Sequence, residues 1–173
     1  YIALEENVKR SIRGLVALEL NKQIHIEDIR KQIPETELRK AWEAISSSAF
    51  FYDHWGSLDN ENLLNRIRYL ARGCGCRWIV LDHLSIVVSG LENIDERRTI
   101  DHTMTSLRSL VEELNIGVIL VSHLKRPDGN KGHEEGVSTS LSQLRGSHAI
   151  AQLADIVVGI ERNIQDKDTA NFV

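Results

Sequence analysis

Short apolar runs alternate with amphipathic stretches along the chain. "YIALE" at residues 1–5 is followed by Val8, Ile12, Leu15 and Val16, spaced to share one side of a helix. "AFFYD" at 49–53 is followed by "NENLLNRIRYLARG", in which Leu63, Leu64, Ile67 and Leu70 recur at the same period. "RWIVLDHLSIVV" at 77–88 precedes a stretch carrying Ile100, Met104, Leu107, Val111 and Leu114. "IGVILVSHL" comes next, and a long polar loop and a short helix then lead into "ADIVVGIER". Continuous Val/Ile/Leu runs fit strands covered on both faces, and strands that alternate with helices imply a parallel sheet. The predicted fold class is therefore α/β, with a mainly parallel sheet covered by helices.

Asn21 to Ser48 breaks this rhythm, being polar and lacking a buried strand. "PETELRKAWEAI" fits a helix with Pro34 near its start and acids in the first turn, where the helix dipole favours them. This region is expected to be a helical excursion on the sheet. At the ends, "YIALEEN" reads as a strand already under way and "TANFV" as one just starting, so the chain is expected to be part of a longer one. The longest stretch without periodicity runs from Lys125 to about Leu141, and a loop of that length in a compact domain is usually functional or disordered.

Composition narrows this picture modestly. With 173 residues, 42% hydrophobic and 27% charged, the chain has the size and balance of one globular domain. No apolar stretch approaches the roughly 20 residues of a membrane helix, so the expected setting is cytosolic, with no membrane partner. Cys74 and Cys76 are the only cysteines, which provides neither a disulfide framework nor a four-ligand zinc set. A formal net charge of -4 argues against non-specific coating of nucleic acid but leaves room for a local basic patch.

Three groups fall at the carboxyl ends of predicted strands: Glu5, Asp82 and His123. That edge is where open α/β sheets bind ligands, and parallel strands would bring all three to it. A carboxylate at the end of a buried strand can hold Mg2+, an ion that keeps several waters and accepts few protein ligands; Asp82 fits. A second carboxylate can polarise an attacking water and an imidazole can touch a phosphate oxygen, roles that suit Glu5 and His123. Each also has a plainer reading. Asp82 can be a turn former, Glu5 an acid at a helix start, and His123 a surface histidine.

"ALEEN", "WIVLDHLSIVVSG", "DERRTID", "VILVSHLKRPDGNKGHEEG", "LRGSHAIAQLAD" and "ERNIQ" together resemble the helicase domain of the T-odd phage primase-helicases, with Twinkle and bacterial DnaB as more distant kin. The resemblance runs in order from residue 1 to about residue 165 and is weakest over Asn21 to Ser48. It implies a RecA-like three-layer motor core in residues 1–173, working in a homo-oligomeric ring, expected to be hexameric. Such a ring hydrolyses ATP or dTTP with Mg2+, translocates on single-stranded DNA, unwinds duplex and meets replisome proteins in a phage-infected bacterium. By this resemblance Glu5 is the base, Asp82 the magnesium-holding acid, His123 the γ-phosphate sensor, Gln152 a second sensor and Arg162 a nucleotide-contacting arginine. The loops "SGLENIDERRTID" and "KRPDGNKGHEEGVSTSLSQLRGS" become candidates for the DNA channel, the second with Lys125, Arg126, Lys131 and Arg145. Positive charge along a flexible strand-tracking loop suffices for sequence-independent grip. Glu134 and Glu135 share that loop, which equally reads as a solvated connection of mixed charge. Gly129 and Ala151 depart from the family pattern, which leads one to expect a lysine and an arginine there.

No G-x-x-x-x-G-K-S/T occurs, so the phosphate-cradling loop is missing and these residues alone are not expected to hydrolyse nucleotide. In the family that loop lies just upstream of the "ALEE" strand, and an arginine finger lies downstream of residue 173. Two rival readings are a RecA or KaiC-type ATPase, which leaves "HLKRPDGNKGHEEG" unexplained, and a non-catalytic DNA-binding or ring-interaction module with a dead nucleotide site.

Overall fold

The computed structural model describes residues 1–53, 59–84, 96–125, 132–144, 148–162 and 170–172. Four strands, β1 (Ile2–Ala3), β2 (Tyr52–Asp53), β3 (Trp78–Asp82) and β4 (Gly117–Leu120), form one parallel sheet in the order β2-β1-β3-β4. Ala3 pairs with both Asp53 and Asp82, and Leu81 with Leu120, so the carboxyl ends of the strands lie level. The expected parallel α/β architecture is present.

Alternation along the strands decides what is buried. Ile79 and Leu81 face a core shared with Ile2, with Leu63 and Ile67 of α4 (Asn60–Arg68), and with Ile100, Met104, Leu107 and Leu110 of the long helix α5 (Glu96–Leu114). Each such side chain contributes roughly 1.5–3 kcal/mol when fully buried. The opposite parity is open: Trp78 is 68% exposed and Ile119 52% exposed. A continuous apolar run therefore does not mean two covered faces here. Trp78 lies across its register partner Gly117, where a Cβ would fall 2.3 Å from the indole ring.

The first helix, α1 (Val8–Leu20), starts at Asn7, whose side chain accepts from the Lys9 N–H at 2.8 Å, and stops at Asn21 in the left-handed region (φ 50°). Two further helices, α2 (Glu27–Lys31) and α3 (Glu35–Ser46), fill the polar region, with Pro34 capping α3 and Glu35 and Glu37 in its first turn. They build their own small core with α1 from Val16, Ile24, Ile33 and Ala41. The helical excursion is present, packed on α1.

At its start α4 is capped by Asp59, whose carboxylate accepts from the Asn62 N–H at 2.8 Å; these bonds hold the acid below its ordinary range. The helix runs on into a π turn, Tyr69–Gly73, and Gly75 (φ 70°) then makes a left-handed turn toward β3. The thiols flanking that glycine are free, and burial, followed by the nearby Cys74, pushes the Cys76 thiol up.

"ADIVVGIER" departs from expectation. Following α6 (Ala149–Leu153), the only strand within residues 154–162 is β5 (Ile160–Arg162), which pairs antiparallel with β6 (Ala170–Phe172) in a separate two-stranded sheet. The apolar run reads as a buried strand, yet Ile156 is 80% exposed and Ile160 71%. Arg108 of α5 pairs with Asp155, just beyond α6, at 2.7 Å. No described helix is long and apolar enough to cross a membrane.

Candidate functional site

The level strand ends deliver a cluster. Glu5 follows β1, His83 follows β3 and His123 follows β4. The Nε2 of His83 lies 3.1 Å from Glu5 Oε2, and the Nε2 of His123 lies 3.8 Å from the same oxygen. The two imidazoles are stacked at 3.9 Å between centroids, tilted by 32°. His83 is fixed by burial, its side chain 7% exposed, whereas the side chains of Glu5 (58%) and His123 (46%) meet solvent. A carboxylate only accepts, so the 3.1 Å contact places a donating N–H on His83 Nε2. At 3.8 Å His123 is too far for a hydrogen bond and is not locked to the carboxylate.

Two of the three strand-end residues, Glu5 and His123, thus converge. The third, Asp82, sits one residue before His83 and has the opposite strand parity. Its Oδ2 accepts from the Tyr1 hydroxyl at 2.6 Å. Burial, followed by that bond, pushes the Tyr1 phenol far up, so it remains a donor. Asp82 fits Mg2+ in the limited sense that a strand-end carboxylate, with one oxygen engaged by a neutral hydroxyl, suits an ion that takes one protein ligand and keeps its water. Among the described residues the one cluster of three possible metal ligands is Glu5, His83 and His123, and Asp82 is outside it.

His83 has no role that the sequence alone assigns. Its signal is parity: Ile79, Leu81 and His83 are 1%, 0% and 5% exposed, so an imidazole occupies a position that continues the buried side of β3. A polar residue at a core position needs a partner, and here the partner is the candidate base.

The other predicted residues lie elsewhere. Gln152 is exposed on α6, and Arg162 is on β5, its side chain outside the described set. Lys125 is exposed two residues beyond His123. Arg126, Gly129, Lys131 and Arg145 lie outside the described residues, as do residues 89–95 of the other candidate DNA loop, whose remainder opens α5. The base of the Lys125 loop is closed: Leu124 bridges Leu144, and the Lys125 N–H donates to the Gln143 carbonyl at 2.7 Å. Between them, His133 faces the carbonyls of Val137 (3.1 Å) and Lys125 (3.2 Å) with its two ring nitrogens.

Residues 3–171 match the DnaB-like helicase C-terminal domain family. The chain belongs to that family. It is 37% identical over 176 residues to the DNA helicase/primase of Enterobacteria phage T3, covering 98% of this chain and 31% of that protein. It is 26% identical over 175 residues to the replicative DNA helicase DnaB of Geobacillus stearothermophilus, covering 98% of this chain and 37% of that protein. The chain therefore spans about a third of the length of these relatives, by the 31% and 37% shares. A solved DnaB-like replicative helicase, described with its interactions with primase, superposes with a TM-score of 0.76 over 97% of this chain and 42% of its own, at 22% identity. A solved ATPase domain superposes with the same TM-score, 0.76, over 97% of this chain and 61% of its own, at 24% identity. The fold of this helicase domain is thus the RecA-like fold of DnaB-type ATPases.

Proposed function

We propose that this DnaB-like helicase domain supplies the water-activating edge of a motor that couples nucleoside triphosphate hydrolysis to movement on single-stranded DNA and to duplex unwinding. The observation that carries the reading is the Glu5 carboxylate at a sheet edge, held at 3.1 Å by the buried His83. Glu5 accepts the proton of the attacking water. His83 engages Oε2, which leaves the other carboxylate oxygen to take that proton. His123, unlocked and half exposed, turns toward the γ-phosphate and registers its departure. Asp82 would hold Mg2+, which when bound neutralises charge on the phosphate oxygens. Gln152 and Arg162 complete the nucleotide contacts in this reading, ATP and dTTP being the candidate substrates. Lys125, Arg126, Lys131 and Arg145 contact the DNA backbone. The working form is a homo-oligomeric ring, hexameric by family analogy, which also meets replisome proteins.

The test is Glu5→Gln in the full-length protein, which keeps shape and removes the base. Nucleotide binding should survive while DNA-stimulated hydrolysis falls by ~100-fold or more, the usual cost of losing a general base. Wild-type turnover in that variant would reject the assignment.

A further inference from the structure

We propose that Glu5, His83 and His123 form a binding site for a borderline divalent cation of the Zn2+ class, separate in chemistry from any Mg2+ held by Asp82. Their ligand atoms all lie within 4.8 Å of one another. Donors around a tetrahedral zinc with bonds of about 2.0–2.2 Å stand roughly 3.3 Å apart. The two contacts to Glu5 Oε2, 3.1 and 3.8 Å, bracket that spacing. Closing the cluster onto an ion asks the two imidazoles, stacked at 3.9 Å between centroids, to swing by side-chain rotation until both Nε2 atoms face the ion.

The donor set selects the metal. Two neutral imidazoles and one carboxylate suit Zn2+, Co2+ or Ni2+, whereas Mg2+ demands oxygen ligands and its own water. One donor is preorganised, since buried His83 already points Nε2 at the carboxylate; on binding, the ring carries its proton at Nδ1. The other two are half exposed, which leaves an entry path and a fourth position for water. The binding does not depend on the motor reading. One consequence does rest on it: a cation on Glu5 would occupy the base and oppose hydrolysis.

Titration of the full chain with Zn2+ against a chromophoric chelator tests the site, and Co2+ absorption reports its geometry. Both are run in a Cys74→Ser/Cys76→Ser background, because thiolates are preferred zinc ligands. The expected result is one equivalent bound with micromolar affinity, a tetrahedral Co2+ spectrum, and no displacement by millimolar Mg2+. Glu5→Gln and His123→Ala, both at solvent-exposed positions that leave folding intact, should each weaken binding by about tenfold or more. His83→Ala should do the same, with circular dichroism confirming the fold. Zinc held as tightly by Glu5→Gln and His123→Ala as by the parent, or displaced by Mg2+, would overturn the site. These outcomes are independent of whether Glu5→Gln loses hydrolysis.

Discussion

The cluster at the sheet edge and the loop from Lys125 to Arg145 begin two residues apart, yet they are built by opposite means. The cluster consists of side chains delivered by three strands whose register is fixed by backbone pairing, and its centre is a buried imidazole against a carboxylate. The loop is closed at its base by backbone contacts, Leu124 with Leu144 and the Lys125 N–H with the Gln143 carbonyl, and by His133 reaching two carbonyls. The first arrangement sets Glu5 against a buried partner. The second fixes where a loop begins and ends. The proposed motor would need both, one part that discriminates a proton's position and one that tolerates any base sequence.

This contrast breaks most severely if His83 is dispensable. His83→Ala leaves Glu5 without its 3.1 Å partner and opens a buried site, so turnover of the full-length protein should fall by roughly ten- to a hundredfold, with KM for nucleotide little changed. Stability should fall by about 1–3 kcal/mol. His83→Asn, which keeps an N–H donor, should recover part of the rate; a purely structural role would give no such rescue. Steady-state kinetics alongside denaturant unfolding separate the two effects. Unchanged kcat in a folded His83→Ala protein would reduce the cluster to packing.

The same residue marks how far the sequence is legible. Strands β1, β3 and β4 are plain because each is an apolar run bounded by polar residues, and parallel strands with level ends necessarily gather whatever follows them. Glu5 and His123 can be placed together on that ground. His83 interrupts the apolar run of "WIVLDHLSIVV" beside Asp82, but a run apolar at both parities does not say which face is buried, whereas the structure buries only the Ile79, Leu81 and His83 side. "ADIVVGIER" misleads for a related reason: hydrophobicity alone does not specify a partner, and the strand within it pairs with Ala170–Phe172 instead of extending the parallel sheet. Pro34 and the acids after it, by contrast, announce α3 correctly, because capping and dipole effects are local and need no knowledge of the fold.

A second test sharpens the division between grip and chemistry. Lys125→Ala with Lys131→Ala should weaken single-stranded DNA binding several-fold and flatten its salt dependence, by roughly 0.7 in logarithmic slope for each phosphate that is no longer neutralised. His123→Ala should keep most of the DNA affinity and lose the stimulation of hydrolysis by DNA. Binding isotherms at a series of salt concentrations, paired with hydrolysis assays with and without DNA, read both. If the lysine double variant keeps the wild-type slope, the loop is a solvated connection and the two regions are not a working pair.

The smallest expected effect concerns how the loop's far side is tied down. Glu161 of β5 accepts from the Thr139 N–H, and that bond, aided by the His133 ring nearby, holds its carboxyl below the ordinary range. A depressed carboxyl contributes stability that is present above its unfolded pKa and is lost as pH falls through the folded value. The tie should therefore be intact at neutral pH and release only in acid, below the pH at which a free glutamate protonates. Its release should appear as an upfield move and faster exchange of the Thr139 amide in an acid titration followed by NMR. Glu161→Gln keeps an acceptor oxygen without a titrating proton, so the acid step should vanish while the neutral-pH amide position is largely kept. The cluster at the sheet edge should not respond, since its geometry is set by strand register and not by this contact. If the Thr139 amide is insensitive to acid in the wild type, Glu161 does not anchor the loop, and its closure rests on Leu124, Lys125 and His133 alone.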